Sequence, residues 1–235
     1  LLEHIVRHQL NQTAKRRMAV LQPLKVVLTN YPEELVEYFE VPDFPQDPEA
    51  GGSRKVPFGR ELWIERDDFA EVPPPKYHRL SPGKEVRLMN AYFVTCADVV
   101  KDQDGNVIEI HCTYDPETRG GTAPDGRKIR GTLHWVSAAH AIDAEVRLYD
   151  HLFTVPLPEG ESEESDFREF INTQSLEVLK DCKLEQGLEN AGIESRYQFF
   201  RMGYFCMDMV DSKPGNLVFN RIVPLKDTWA KITNK

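Results

Sequence analysis

A mainly β fold packed as barrels or sandwiches is what this sequence predicts, on three observations. Short segments of alternating apolar and polar residues recur at close spacing between turn residues. Sixteen prolines and fourteen glycines punctuate the 235 residues, which implies many turns. Strands do not alternate with long helical patterns, which excludes a βαβ architecture and leaves barrels or sandwiches. The length allows one large or two small domains, each with its own core, and no internal repeat is present.

Residues 1 to about 18 have helical spacing, with Leu2, Ile5, Val6 and Leu10 on one side. Pro23 closes that segment, and Leu24 to Leu28 reads as the first strand. Pro32, Pro42, Pro45 and Pro48 with Gly51-Gly52 predict irregular chain over most of a long loop. Glu61 to Glu65 alternates as a strand, and Pro73 to Pro75 is a stiff, extended connector suited to a crossing between domains. Pro82-Gly83 then turns the chain into strands at Val86 to Thr95 and Ala97 to Val100. Asp104-Gly105-Asn106, set between Val99-Val100 and Val107 to Tyr114, is a strong hairpin signal. Asp125-Gly126 makes another turn, feeding a strand from Ile129 to Trp135 that pauses at small residues and resumes toward Leu148-Tyr149-Asp150. The acidic stretch 159–166 reads as a solvated loop, followed by a short helix around Phe167 to Ile171. Strands return at Tyr197 to Phe200, Tyr204 to Met207 and Val218 to Val223, with a turn at Lys213 to Asn216.

The formal net charge of −9 opposes a general nucleic-acid binder, whose domains are usually basic. Phosphate neutralisation is local, however, and a reader of a few unpaired bases needs only a few well-placed arginines. No apolar run approaches the ~20 residues that span a bilayer, and no signal-peptide pattern opens the chain. Cys96, Cys112, Cys182 and Cys206 lack paired spacing and read as reduced thiols of a cytoplasmic protein. His134 and His140 have no third ligand nearby and read as core or surface histidines, and no metal site is expected. Trp63, Trp135 and Trp229 read as core anchors. Asp104 belongs to a turn and Glu163-Glu164 to a solvated run, so neither makes an acid/base pair. With no glycine-rich phosphate loop and no nucleophile elbow, no catalytic residue is assigned. The first residue is Leu, inside a helical pattern, so the chain reads as a piece of something longer.

Three blocks carry a resemblance: Pro82 to Tyr92, residues 125–150, and Tyr204 to Asp208 continuing through Val218 to Arg221 and Leu225 to Lys231. Upstream, Gly52 to Phe58 and Trp63-Ile64 keep the same order. Across essentially the whole chain these blocks resemble the C-terminal anticodon-binding region of glutaminyl-tRNA synthetases, in the glutamyl/glutaminyl subgroup of the class I enzymes. The resemblance implies two ribosomal-protein-like β-barrels, a distal one inserted into a proximal one, after a short helical segment. The boundaries it implies are 1–20 for the end of a helical subdomain, 21–73 with 154–235 for the proximal barrel, and 74–153 for the distal barrel. It also implies a tRNA(Gln) anticodon loop as partner, alongside an upstream catalytic domain that uses ATP and Mg²⁺. Neither cofactor is expected in this chain, and neither is a membrane or DNA partner.

In that family the barrels splay three anticodon bases into separate pockets, as single-stranded RNA is commonly read. Arg16 and Gln198 resemble the residues that bind the central U. Arg79 resembles the holder of the third base, G, with Arg201, Lys76 and Gln46 at flanking contacts. Arg87 resembles part of the first-base pocket, and Asn11 a residue near the top of the anticodon stem. The chemistry suits the roles, because an arginine fork matches guanine O6 and N7 or a phosphate, and a glutamine amide offers the donor and acceptor that uracil needs. Met89 and Phe200 depart from the family, standing where it has arginine and a carboxylate, and Lys76 and His78 replace glutamine and lysine. Two alternatives share the barrels: a glutamyl-tRNA synthetase of archaeal or eukaryotic type, and a ribosomal-type rRNA-binding barrel. At a helix end, Arg16 would also complement the macrodipole, and Gln198, in an aromatic strand, has solvent as its alternative.

Overall fold

The structure, a computed structural model, describes residues 2–159 and 166–226. One α-helix, α1 (Leu2–Thr13), opens the described chain. The first six strands are β1 (Lys15–Arg17), β2 (Ala19–Val20), β3 (Pro23–Leu28), β4 (Glu37–Pro42), β5 (Ser53–Phe58) and β6 (Glu61–Glu65). Next come β7 (Glu85–Leu88), β8 (Phe93–Lys101), β9 (Val107–Asp115), β10 (Thr132–Leu133) and β11 (Val136–Ser137). The last five are β12 (Ile142–Tyr149), β13 (Leu176–Leu184), β14 (Arg196–Phe199), β15 (Gly203–Met207) and β16 (Leu217–Val223). Among the described residues, no helix is long and apolar enough to cross a membrane.

Two seven-stranded sheets result, ordered β1-β14-β15-β16-β12-β13-β2 and β10-β7-β8-β9-β3-β6-β11, with β4-β5 as a separate pair. Each sheet is closed by one short segment that serves both of its edges. In the first, β1 pairs with β14 and β2 with β13, and only Met18 separates β1 from β2. In the second, β10 pairs with β7 and β11 with β6, with His134-Trp135 between them. Met18 and Trp135 are fully buried at these two breaks, and the Trp135 indole donates to Met89 O at 2.9 Å. Closure of this kind removes free strand edges.

The expected insertion of one barrel into the other is present, but its boundaries lie elsewhere. The barrel built from both chain ends holds residues 15–20 and 142–223, and the inserted barrel holds 23–137. Residues 21–73 therefore do not join 154–235. The reason is pairing: β3 runs parallel to β9, with Lys25 opposite Glu109, and antiparallel to β6. Pro73 to Pro75 consequently links two strands of one sheet rather than two barrels. The helix also ends earlier than expected, because the basic run Lys15–Arg17 pairs with β14 instead of extending the helix.

Other differences have local causes. The single strand expected over Val86 to Thr95 is broken by a turn in which Asn90 takes φ 58° and Leu88 N donates to Tyr92 O at 2.8 Å. The long loop carries the β4–β5 ribbon. Ile129 to Trp135 yields only β10, since the closing segment must change partners at Trp135. The Asp104-Gly105-Asn106 hairpin forms as expected, with Asp102 Oδ1 accepting from Asp104 N and Asn106 N. Most of the 159–166 loop, together with Trp229 and the end of the third sequence block, lies outside the described residues.

The inserted barrel is filled by an edge-to-face aromatic cluster including Tyr31, Phe39, Phe58, Tyr92, Tyr114 and Trp135. Glu37 bounds it, accepting from the Tyr31 and Tyr92 hydroxyls at 2.8 Å each. The other barrel packs Leu184, Phe199, Phe205 and Phe219 among others. Ion pairs join the two. Glu185, 2% exposed, accepts from Met18 N at 2.8 Å and from Arg54 Nη2 at 2.7 Å, also meets Arg54 Nε, and lies 3.3 Å from Arg17 Nε. Arg17 continues to Asp43 at 2.6 Å.

Removing one partner from a buried, hydrogen-bonded charge set leaves the others desolvated and unpaired. Glu185→Ala is therefore expected to lower unfolding stability by about 3–5 kcal/mol. Urea titration at constant slope measures it, and a loss below about 1 kcal/mol, the level of an exposed pair, contradicts the role.

Asp43 adds a pH dependence. Burial pushes its carboxyl up, but the Arg17 hydrogen bond and the charges of Arg17, Arg54 and Lys15 together hold it below its ordinary value. A depressed folded-state pKa contributes stability that is complete above the unfolded value near ~4 and is lost as pH falls through the lower folded value. Asp43→Asn should flatten that acid limb, as read from urea midpoints between about pH 6 and 2.5. An unchanged limb would contradict the assignment.

Candidate nucleic-acid interface

Tyr197 and Phe199 of β14 point into the core, so Gln198 faces the other side of the sheet, beside α1. Arg16 is its register partner across β1, and Tyr204 its partner across β15. Arg16 is nearly inaccessible and closes the helix end, the structural role that its position in the sequence offered. Its Nη1 donates to Asn11 O at 3.0 Å and Ala14 O at 2.7 Å, and its Nη2 to Asn11 Oδ1 at 2.6 Å. The cation thus satisfies carbonyls that the helix leaves unpaired at its negative end. Burial draws Arg16 below its ordinary pKa, with Tyr204 opposing. Gln46 Nε2 donates to Asn11 O at 3.1 Å and the Tyr204 hydroxyl to Asn11 Oδ1 at 3.3 Å. Burial also raises the Tyr204 phenol, against the Arg16 charge and hydrogen bonding with Gln198. Asn11, Arg16, Gln46 and Gln198 are therefore one group, and Tyr204 belongs to it.

A second group surrounds an open cavity of about 450 Å³ lined by Lys76, Tyr77, His78, Arg79, Arg130, Gly131, Thr132 and Arg201. The 3-10 turn Arg66–Asp68 after β6 meets two of its arginines through Asp67 and Asp68. Asp68, fully buried, has Arg201 Nη2 at 2.7 Å from both carboxylate oxygens and Arg79 Nη1 at 3.2 Å. Arg79 Nη1 also donates to Asp67 O at 3.0 Å, and Arg201 Nη1 to Thr132 O at 3.2 Å. Burial, followed by the Asp68 charge, pushes the Tyr77 phenol up to about 12. Lys76 and Arg201 both take φ 65°, a conformation that side-chain-bearing residues adopt at a cost.

Arg87 lies on the outer face of β7, opposite Thr132 on one side and Phe93 on the other. Its guanidinium carbon stands 5.3 Å from the Phe93 ring centre, and its buried Nε has no hydrogen-bond partner among the described residues. The left-handed Gly121 packs on its stem, where a Cβ would meet Arg87 Cδ at 3.2 Å. Arg127 lies over the same ring but is held by Glu85, Asp125 and Asp115. The Met89 carbonyl anchors Trp135. Phe200 packs against the core of the inserted barrel.

The three groups form one row. Gln198 lies three residues before Arg201, Arg201 reaches Thr132 O, and Thr132 is the register partner of Arg87. All eight residues singled out from the sequence fall in this row. The sequence reading missed Asp68, Tyr77, Arg130, Thr132 and Tyr204. Arg130, Thr132 and Tyr204 lay inside the resembling blocks. Nothing in Arg66-Asp67-Asp68 signalled a buried carboxylate. Away from the row, His134 is buried 3.6 Å from Glu65, and His140 Nδ1 is 3.0 Å from the Ser137 hydroxyl. All four cysteines are free thiols.

Two closed sheets, one inserted in the other, with arginines and a glutamine along their junction, define a double-barrel class of β protein that can be set beside known families. Family models described as "tRNA synthetases class I (E and Q), anti-codon binding domain" match residues 14–115, which run from β1 through β9, and residues 132–208, from β10 through β15. The chain belongs to this anticodon-binding domain family of the class I glutamyl and glutaminyl synthetases. It is 54% identical over 232 residues to the glutamine–tRNA ligase of Nitrobacter hamburgensis, covering 99% of this chain and 40% of that protein. The corresponding ligase of Clostridium kluyveri is 50% identical over 235 residues, covering 100% and 42%, and that of Pseudomonas putida 51% over 229 residues, covering 97% and 40%. The chain thus spans about two fifths of the length of these relatives.

The geometry separates the arginines by their structural weight. Arg16→Ala removes three charged hydrogen bonds, to Ala14 O, Asn11 O and Asn11 Oδ1, and should lower stability by roughly 1.5–3 kcal/mol, the range for charged hydrogen bonds. Arg79→Ala, at a side chain 45% exposed, should lower it by less than about 1 kcal/mol. Parallel urea titrations test the contrast, and equal losses would contradict it.

Proposed function

We propose that this chain reads the anticodon loop of tRNA(Gln), supporting ATP-dependent attachment of glutamine by an enzyme of which it forms the anticodon-binding part. ATP and Mg²⁺ chemistry belongs on this reading to a catalytic domain outside the chain, and the chain itself binds without catalysing. Support comes from the family, from the relatives' names and above all from one observation: the continuous row from Arg16 through Gln198, Arg201 and Arg79 to Arg87, crossing both barrels. A molecule of net charge −9 nonetheless presents Lys76, Arg79, Arg130 and Arg201 around one cavity.

On this reading the central U lies near Gln198 and Arg16, the third base in the cavity of Arg79, and the first base near Arg87. Lys76 and Arg201 flank the third base, and Gln46 and Asn11 lie toward the helix. Specificity arises because a wrong base leaves buried polar groups unpaired, at on the order of 1–3 kcal/mol each.

Glutamine and glutamate anticodons share the middle U and differ at the third base, so binding to the two anticodon stem-loops is the direct test. Preference for the glutamine loop is expected, and Arg79→Ala should relax third-base selectivity by roughly 1–3 kcal/mol. Preference for the glutamate loop, or salt-sensitive affinity without anticodon preference, would defeat the reading.

A further inference from the structure

Lys76, Arg79, Arg130 and Arg201 line the cavity, yet the group that two of these cations meet is a buried acid. Asp68 is fully buried at the end of its 3-10 turn, and its backbone is fixed by Leu80 N, which donates to Asp68 O at 2.9 Å. The two guanidiniums that meet its carboxylate arrive from different barrels. Arg201 comes from the turn between β14 and β15, and Arg79 from the loop between β6 and β7. Both keep exposure on the cavity side, 31% and 45%. Arg79 contacts the protein through Nη1, and no contact of its Nε or Nη2 is recorded among the described residues.

We infer that Asp68 is the positioning residue of the third-nucleotide site: it holds Arg79 and Arg201 as a fixed pair of forks before any nucleotide arrives. This rests on the anticodon-reading function proposed above and deepens it. A buried carboxylate tolerates its lost hydration only when cations meet it. Here two cations share one anion, so the group keeps a positive charge and open donors. Fixing long arginine side chains in advance removes the ordering cost that binding would otherwise carry. The left-handed backbone of Arg201 fits the same role, since strained conformations persist where the surroundings impose them. A brace that only joined the barrels would not need its second arginine nearly half exposed.

The test uses the 235-residue chain and anticodon stem-loops carrying each of the four third bases, with one loop changed only at the middle base. In Asp68→Asn, which keeps the side-chain size, third-base discrimination should fall by roughly 10- to 100-fold, the worth of a bidentate base contact. Discrimination at the middle base should persist. In an Arg79→Ala background the same substitution should remove less selectivity, because part of its effect passes through Arg79. Equal weakening for every loop, middle-base variant included, or unchanged third-base selectivity, would reduce Asp68 to a structural brace. Should Asp68→Asn not fold, nitrogen NMR of the unaltered protein decides: hindered, separate Nη signals of Arg201 are expected, and averaged signals overturn the inference. An unaltered chain blind to both bases would instead overturn the parent reading.

Discussion

A sheet that closes must pair both of its edges, and here a single segment does it in each barrel. Lys15–Arg17 and Ala19–Val20 are edge strands of the same sheet, and so are Thr132–Leu133 and Val136–Ser137 of the other. Each closing segment has to change partners within a few residues, and each does so at a buried side chain, Met18 or Trp135. The candidate interface follows these two seams. Arg16 lies on the first closing segment and Gln198 on the strand it pairs with. Thr132 lies on the second, and Arg87 on its partner. Arg201 joins the seams by donating to Thr132 O. The position of the site is thus a consequence of how the barrels close.

The charge of the chain acquires a different meaning once its acids are located. Glu185 and Asp43 neutralise Arg17 and Arg54 at the junction, Glu37 receives two tyrosine hydroxyls and Arg119, and Asp68 is buried beneath Arg79 and Arg201. These carboxylates orient cations and hydroxyls within the fold. Arg130 and Lys76, by contrast, reach the cavity with no ion pair among the described residues. The potential that a phosphate chain meets depends on this local surplus, not on the sum over the molecule.

Much of this was legible in the sequence where a side-chain period or a turn residue carried the signal. The β8–β9 hairpin and strands β3, β6, β14, β15 and β16 follow from alternation and from Asp-Gly or Pro-Gly punctuation. β13 was not legible, because its first six residues are exposed or half-exposed and show no apolar face. The barrel boundary was misplaced because Pro73 to Pro75 marks a stiff connector without saying what it connects; the parallel pairing of β3 with β9, over eighty residues apart, has no local trace. The eight candidate residues came from family resemblance; the register then supplied that Arg16 and Gln198 are partners, and the ion pairs that Arg79 and Arg201 share one carboxylate. Asp68 itself stood in a charged surface-like run whose burial only the fold creates.

The three parts of the row differ in how far their polar groups are already engaged, and this difference has energetic content. At Arg16 the Nη donors are already committed to Asn11 and Ala14, so that arginine supplies charge and rigidity while the neighbouring Gln198 amide retains hydrogen-bonding capacity. At Asp68 one arginine is tightly held and the other only partly, which combines a fixed frame with open donors. Arg87 has a buried Nε without a hydrogen-bond partner among the described residues, and its side chain lies against the Phe93 ring and Gly121. An unsatisfied buried donor carries a penalty of about 1–3 kcal/mol, so on the proposed reading a base edge or phosphate that reaches Arg87 relieves a cost the free protein bears. On the same reading, selectivity at the fixed sites comes from mismatched partners being unable to relax the frame. At Arg87, on that reading, it comes from which ligand atoms can satisfy a donor that the fold leaves unpaired.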